Sequence, residues 1–375
     1  MTSDPESTAP SAASPRRPRR AAVMIVKDEA RCLARCLASV RPLVDHVIVL
    51  DTGSTDATVE IALAAGAQVE RFSWCDDFSA ARNAALACSD ADWNLIIDAD
   101  EAVTAAPVFE DPAFLAAEPF IGVVRIDSPV EVGGGPGIVR SWVSRLLPRG
   151  VRYAGRIHEQ PVSDHPRVRV GLTLAHDGYL PSQLETKSGR NEALLLTAIK
   201  DSPDDAYLWY QLGRTYDAGG RYDAALITFG EALRLSGGDE AYRHGLVVRT
   251  LHAMKGAGAL EQGLALLQAE ERNWSQSADF CFVAGDLYLE CASRDQANAL
   301  TRWLPQAEAS WLRCLEIGER DDLDGAMAGR GGYMAAHNLA ALYETFGLCD
   351  QAVRYHALTQ SLRLALSESL DRTTG

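Results

Sequence analysis

AVMIVKDEARCLARCLASVRPLVDHVIVLD, residues 22–51, decides the fold. It opens on a short apolar run, AVMIV (22–26), and closes on a second, HVIVLD (46–51), rich in β-branched residues. Between them, KDEARCLARCLASV (27–40) places Leu33, Cys36, Leu37 and Val40 on one side at helical spacing. Strand, helix and strand in that length make a βαβ unit, and continuous apolar strands belong in a parallel sheet covered on both faces. Outward from this stretch the alternation continues. Ser54 or Thr55 can cap a helix that reaches Ala65 and stops at Gly66. Residues 67–71 read as a third strand, FSAARNAALAC (78–88) as a third helix and WNLIID (93–98) as a fourth strand.

In open sheets of this kind the ligand site lies beyond the carboxyl ends of the strands. Asp51 ends the second strand, and Asp98 and Asp100 follow the fourth, so three carboxylates on separate loops are expected to share a site. In Asp98-Ala99-Asp100-Glu101 one acid can coordinate a divalent cation while another receives a hydroxyl such as that of a ribose. Asp51-Thr52-Gly53-Ser54 also matches the sequence around the catalytic carboxylate of aspartic proteases. Those enzymes need two such aspartates sharing a proton, and there is no second copy here. HEQPVSDH (158–165) is not an HExxH zinc motif, because position 162 is Val.

FIGVVRID (120–127) and GIVRSWVSRLL (137–147) are strand-like and flank GGGPG (133–137), as a hairpin would. VRYAGRIHEQ (151–160) and VRVGLTLAH (168–176) complete a mixed second half. From residue 187 the pattern is helical. Trp209, Leu212, Gly213, Tyr216, Ala225, Phe229 and Ala232 fall at the spacing of a tetratricopeptide repeat, with small residues where two helices touch. Gly285 with Ala307, Trp311 and Cys314 suggests another copy. Leu339, Tyr343, Gly347 and Ala352 suggest a last one, and 245–272 a degenerate one. The expected organisation is a disordered tail over 1–20, an α/β domain over 21–180 and helical repeats over 187–370.

Four linked motifs, VKDEARCLARCLASV, VIVLDTGSTDAT, FSAARNAAL and LIIDADE, together resemble family 2 glycosyltransferases of the GT-A fold. RSWVSRLLPRGVRYAGRIHE (140–159) resembles a subgroup that includes lipopolysaccharide-core glucosyltransferases and peptide S-glycosyltransferases of bacteriocins, and HDGY (176–179) looks like its junction with helical repeats. The resemblance implies an inverting hexosyltransferase that uses a UDP-sugar and Mg²⁺ or Mn²⁺. Asp51 would meet the base, Asp98 the ribose and Asp100 the metal. Arg82 and Asn83 would lie beside the nucleotide, and His158 would complete the metal site. Glu159 or Glu101 would deprotonate the acceptor, although the x-Glu-Asp motif usual for that base is absent. His176 reads as a junction residue that can approach the donor phosphates. Arg140 and Arg145 read equally as phosphate or acceptor contacts and as salt-bridge partners.

A formal net charge of −15 repels a polyphosphate backbone, so nucleic acid is not an expected partner. None of the eight cysteines forms a CxxC pair, as in a reducing, cytoplasmic setting. No run approaches the ~20 apolar residues of a membrane span. The concave face of a helical repeat suits a peptide or protein acceptor, or a saccharide carried by one. A saccharide or lipid-core acceptor, a repeat scaffold on an inactive transferase domain, and a homodimer all stay open. A nucleotidyltransferase needs a Gly-rich basic loop after its first strand, and VKDEARC (26–32) is not one.

Overall fold

The computed structural model describes residues 17–374 except 112, 115–117, 133–134, 177–180 and 321. β1 (Arg20–Val26), β2 (His46–Asp51), β3 (Gln68–Arg71) and β4 (Trp93–Ile96) form the parallel half of the sheet in the order β3-β2-β1-β4. Their connections carry α1 (Leu33–Val40), α2 (Thr58–Ala64) and α3 (Phe78–Ala87). Alternate strand residues feed two cores. Met24, Val49 and Leu95 pack with Leu33, Cys36, Leu37 and Val40, the four residues whose spacing marked α1. Ile48, Leu50 and Ile96 pack on the other face with Ala81, Ala85 and Leu86 of α3.

The second half extends the same sheet with β5 (Glu101–Ala105), β6 (Ile121–Val132), β7 (Gly135–Pro148) and β10 (Arg167–His176), in the order β4-β7-β6-β10-β5. β6 and β7 are the expected hairpin, paired antiparallel; two residues of its Gly-rich tip, 133 and 134, lie outside the described residues. Gly122 is needed in it, since a Cβ there would lie 2.7 Å from Leu146 Cβ, and the register slips beside it. β8 (Arg152–Ala154) and β9 (Gln160–Val162) make a separate two-stranded ribbon.

The helical half comprises α4 (Pro181–Asp201), α5 (Ala206–Ala218), α6 (Tyr222–Leu235), α7 (Arg243–Ala257), α8 (Leu260–Trp274), α9 (Ala278–Arg294), α10 (Leu304–Ile317), α11 (Tyr333–Thr345) and α12 (Cys349–Thr374). Asp205 and Ser277 cap α5 and α9 through their side chains, satisfying N–H groups that a helix start leaves unpaired. The small-against-large pattern is literal. A Cβ on Gly213 would lie 2.4 Å from the Phe229 ring, and one on Gly285 would lie 2.5 Å from Trp311 Nε1. An α/β sheet domain followed by an all-helical, tetratricopeptide-like region is therefore the architecture, as the sequence implies.

Three local expectations change. α1 begins at Leu33 rather than near residue 27, because Cys32 and Leu33 first turn back onto the Glu29 carbonyl. Ser54 and Thr55 do not cap α2. Both bond Asp28, and the Asp56 carboxylate instead accepts from Thr58 N–H at 3.0 Å. Of the expected tail, residues 1–16 lie outside the described part. Arg19 and Arg20, however, already donate their backbone N–H groups to Asp92 and Asp45, both at 2.8 Å.

Candidate active site

The carboxyl ends of β2 and β4 face the same side of the sheet, as parallel pairing through β1 requires. Asp51 is buried at the end of β2, and its carboxylate accepts from the N–H groups of Gly53 at 3.3 Å and Ser54 at 3.0 Å. That turn needs glycine, since Gly53 sits at φ +108°. Asp28, after β1, adopts φ 55° and ties the first loop to the second, accepting from Thr55 N–H at 2.7 Å. Sequence reasoning passed over Asp28; its signal was a polar Lys-Asp-Glu run directly at a strand end.

The centre is a buried ionic network. Asp98 lies between two guanidinium groups: Arg82 Nη2 on Oδ1 at 2.9 Å and Arg145 Nη2 on Oδ2 at 2.6 Å. Burial alone would raise its pKa, but Arg145 and then Arg82 outweigh burial and hold the carboxyl well below the usual range. Arg145, near the C-terminal end of β7, also reaches Glu101 Oε1 at 3.0 Å, while Glu101 Oε2 accepts the Asp98 N–H at 2.8 Å. Glu101 is 2% exposed and burial pushes its pKa up. Arg82 donates its Nε–H to Glu159, which arrives from the segment between β8 and β9. Arg82 Nη1 and Arg145 Nε are buried with no hydrogen-bond partner.

Asp100 is buried, and the histidine that faces it is His176, at the end of β10, with Nε2 3.4 Å from Asp100 Oδ2. Ser128 Oγ lies 3.3 Å from the other ring nitrogen. Burial would lower the pKa of His176, but the Asp100 carboxylate raises it overall. His158 is turned at φ 52° beside Arg214 of α5, and burial first, then Arg214, bring its pKa down to about 3. Its neighbour Ile157 is buried among Leu194, Leu195, Leu208 and Leu212 of α4 and α5. The strained turn thus sends Ile157 into the repeats and Glu159 to Arg82. Asn83 spends its amide on the ribbon, donating to Tyr153 C=O at 2.9 Å and accepting from Tyr153 N–H at 2.8 Å. Tyr153 in turn lies under Arg82, whose guanidinium carbon is 5.8 Å from the ring centroid.

Asp98, Glu101, Arg82 and Glu159 are therefore brought into one network, and Asp100 stands beside it with His176. Among the described residues, no three His, Cys, Asp or Glu side chains form a metal-holding group. Arg145 and His176 are the residues whose site contacts the sequence left undecided. Arg145 sits in a strand whose facing cannot be read until the register is known, and His176 meets Asp100 only through the pairing of β10 with β5.

Residues 21–111 match the family described as Glycosyl transferase family 2, and residues 194–227 match Tetratricopeptide repeat. A TPR repeat-containing protein of Synechococcus elongatus is 33% identical over 259 residues, covering 66% of this chain and 64% of that protein. The SPbeta prophage-derived glycosyltransferase SunS of Bacillus subtilis is 27% identical over 201 residues, 51% of this chain and 47% of that one. An uncharacterized glycosyltransferase of Rickettsia felis is 45% identical over 80 residues, 21% of this chain and 28% of that one. The chain spans between about half and two-thirds of the length of the first two relatives. A GT-A-like sheet domain, whose residues 21–111 are similar to Glycosyl transferase family 2, is thus followed by a tetratricopeptide-like helical region.

Proposed function

We propose that this chain transfers a sugar from a UDP-sugar to a peptide, protein or peptide-held saccharide acceptor, with inversion at the anomeric carbon and with Mg²⁺ or Mn²⁺. One observation carries the reading: Asp98 clamped by Arg82 and Arg145, with Asp100 against His176, where both aspartates follow a parallel strand of the segment similar to family 2. The residues present fit a divalent cation. Asp51, Asp98, Asp100, Glu101 and Glu159 bring more carboxyl groups than the arginines Arg82 and Arg145 can offset, so a diphosphate needs a cation between itself and the acids. Asp100 would hold it, with His176 beside it and phosphate oxygens and water filling the other positions, since such hard cations keep several waters and bind through one or two carboxylates plus substrate phosphates. When bound, the cation supplies Lewis-acid stabilisation of the leaving diphosphate, worth several kcal/mol.

The remaining work falls to the side chains. Asp51, fixed by its own turn, receives the base, and Asp98 orients the two guanidinium groups and stands nearest the ribose. The buried N–H donors on Arg82 Nη1 and Arg145 Nε suit phosphate oxygens. Glu101, the more deeply buried of the two, is sealed by Asp98 N–H and Arg145 and anchors the turn; Glu159, held by Arg82 alone, is the candidate general base and would act once Arg82 turns to the phosphates. Deprotonation of the acceptor by such a group contributes roughly 10²–10⁴-fold. Among the described residues, no helix is long and apolar enough to cross a membrane. The test is release of UDP from a panel of UDP-sugars with Mn²⁺. The expected outcome is turnover that Asp100→Ala abolishes; a folded wild-type protein that binds no UDP and releases none would leave only a scaffold.

A further inference from the structure

The repeat region contributes a strand to the catalytic sheet. β11 (Met327–Ala328), in the connection between α10 and α11, pairs antiparallel with Val139 and Ile138 of β7. β6 runs along one edge of β7, from Gly122↔Leu146 to Val132↔Gly135, so β11 must use the other edge. That edge also receives β4, at residues 146–148. β4 and β11 thus lie end to end along β7 and leave residues 141–145 between them. Arg145, which clamps Asp98 and Glu101, closes one end of that interval.

Beyond the last backbone bond to β11, side chains take over this edge. Arg140 N–H donates to Ala326 C=O at 2.9 Å, and two residues on Trp142 N–H donates to Asp324 Oδ1 at 3.0 Å. Two further on, Ser144 C=O accepts from Tyr153 O–H at 3.4 Å, the same tyrosine that lies under Arg82. Asp324 is itself held by the repeats. Its carbonyl lies 3.2 Å from His244 Nδ1 of α7, and His244 Nε2 lies 2.7 Å from Ser277 Oγ at the start of α9. Asp279 of α9 secures the next turn, accepting from Met327 N–H at 3.0 Å and Arg330 Nη1 at 2.9 Å.

We infer that Asp324 is a positioning residue for the transfer: from within the repeat region it fixes β7 and so sets Arg145 against Asp98 and Glu101. The inference rests on the proposed transferase reading for its kinetic consequence, but not for the bracing itself. The helical half is then part of the donor site as well as an acceptor platform. Misplacing a supporting group by about 1 Å can cost on the order of 100-fold in rate. Asp324→Ala is therefore expected to lower kcat for acceptor-independent UDP release by roughly 10- to 100-fold.

The experiment compares wild type, Asp324→Ala, Asp324→Asn and, as a control, Asp322→Ala in the full chain. Asp322 is paired with Arg320 on the surface. UDP release with Mn²⁺ gives donor KM and kcat per folded molecule, and hydrogen exchange reports the amides of residues 138–145. Asp324→Ala should accelerate exchange there and lower kcat, whereas Asp324→Asn, which keeps an acceptor oxygen for Trp142, should restore both. Wild-type exchange in β7 for Asp324→Ala overturns the inference. So does faster exchange with unchanged kcat, which leaves Asp324 merely structural. If the wild-type protein releases no UDP, the transferase reading fails, and exchange in β7 alone decides whether Asp324 braces the strand.

Discussion

Replacing Arg145 by alanine tests the central network most directly. The guanidinium makes two contacts through Nη2, 2.6 Å to Asp98 and 3.0 Å to Glu101. Breaking a buried ion pair by removing one partner costs about 3–5 kcal/mol, because the other charge stays buried. Two features place this case at the low end. Asp98 keeps Arg82, and its side chain is 32% exposed, so water screens part of the loss. Glu101, whose pKa burial already raises, can take a proton and avoid an uncompensated charge. The expected cost is about 3 kcal/mol, felt in the acidic turn 98–101, and so on the order of a 100-fold rise in its local opening. Hydrogen exchange measures this at Asp98 N–H, bonded to Glu101, and Glu101 N–H, bonded to Asp98 C=O. Arg145→Lys keeps the charge but loses the planar fork and should fall between. Wild-type exchange in this turn for Arg145→Ala, in a protein that still folds, would falsify the account of the arginine as its clamp.

Three other outcomes are expected. His176→Ala should abolish stimulation of UDP release by Mn²⁺, as is expected of Asp100→Ala, while His158→Ala should leave metal dependence intact and alter only rate or stability. Equal loss in both histidine variants would return His158 to the cation. Gly285→Val should destabilise the repeats by about 1–3 kcal/mol, since even a Cβ would meet Trp311 at 2.5 Å, and urea unfolding followed by circular dichroism would read it. Asp217 of α5 is paired with Arg249 and His252, each at 3.0 Å. Burial acts to raise its pKa, but the bond from His252 and the charge of Arg249 lower it overall. The stability it contributes is present above the unfolded value of about 3.9 and is lost as pH falls through the lower folded one. Asp217→Asn should flatten that acid limb in thermal melts; an unchanged limb would assign acid unfolding to other carboxylates.

What could be read from the sequence is what local periodicity encodes. The buried face of α1 was visible because Leu33, Cys36, Leu37 and Val40 recur at one helical spacing. The repeats were visible because Gly213 and Gly285 must be small where Phe229 and Trp311 press on them. Asp51, Asp98 and Asp100 were visible because each follows an apolar run that could only be a strand. The partners of those acids were not. Arg145 and Arg140 lie on one strand, but the register slip at Gly122/Val123 hides which of them meets the acidic turn. Asn83, beside Arg82 on the same helix, offers no periodic sign that its amide is committed to Tyr153. β11 is two residues long, too short for any alternation, and its pairing partners, Ile138 and Val139, lie far away in the sequence.

These omissions share one cause, and it bears on how the chain works. A strand tip can be placed by its own hydrophobic run, but the group that neutralises a buried acid is supplied by whichever element the topology delivers beside it. Here those groups come from α3, the C-terminal part of β7 and the end of β10, and β7 is itself steadied by a loop between two repeats. The family 2 match ends at residue 111, before Arg145, Glu159, His176 and Asp324. A protein truncated after the sheet would therefore keep every acid and lose the bracing of β7. The bond from Trp142 N–H to Asp324 ties β7 to the helical half, so on the proposed reading the repeats are expected to influence UDP release even when no acceptor is present.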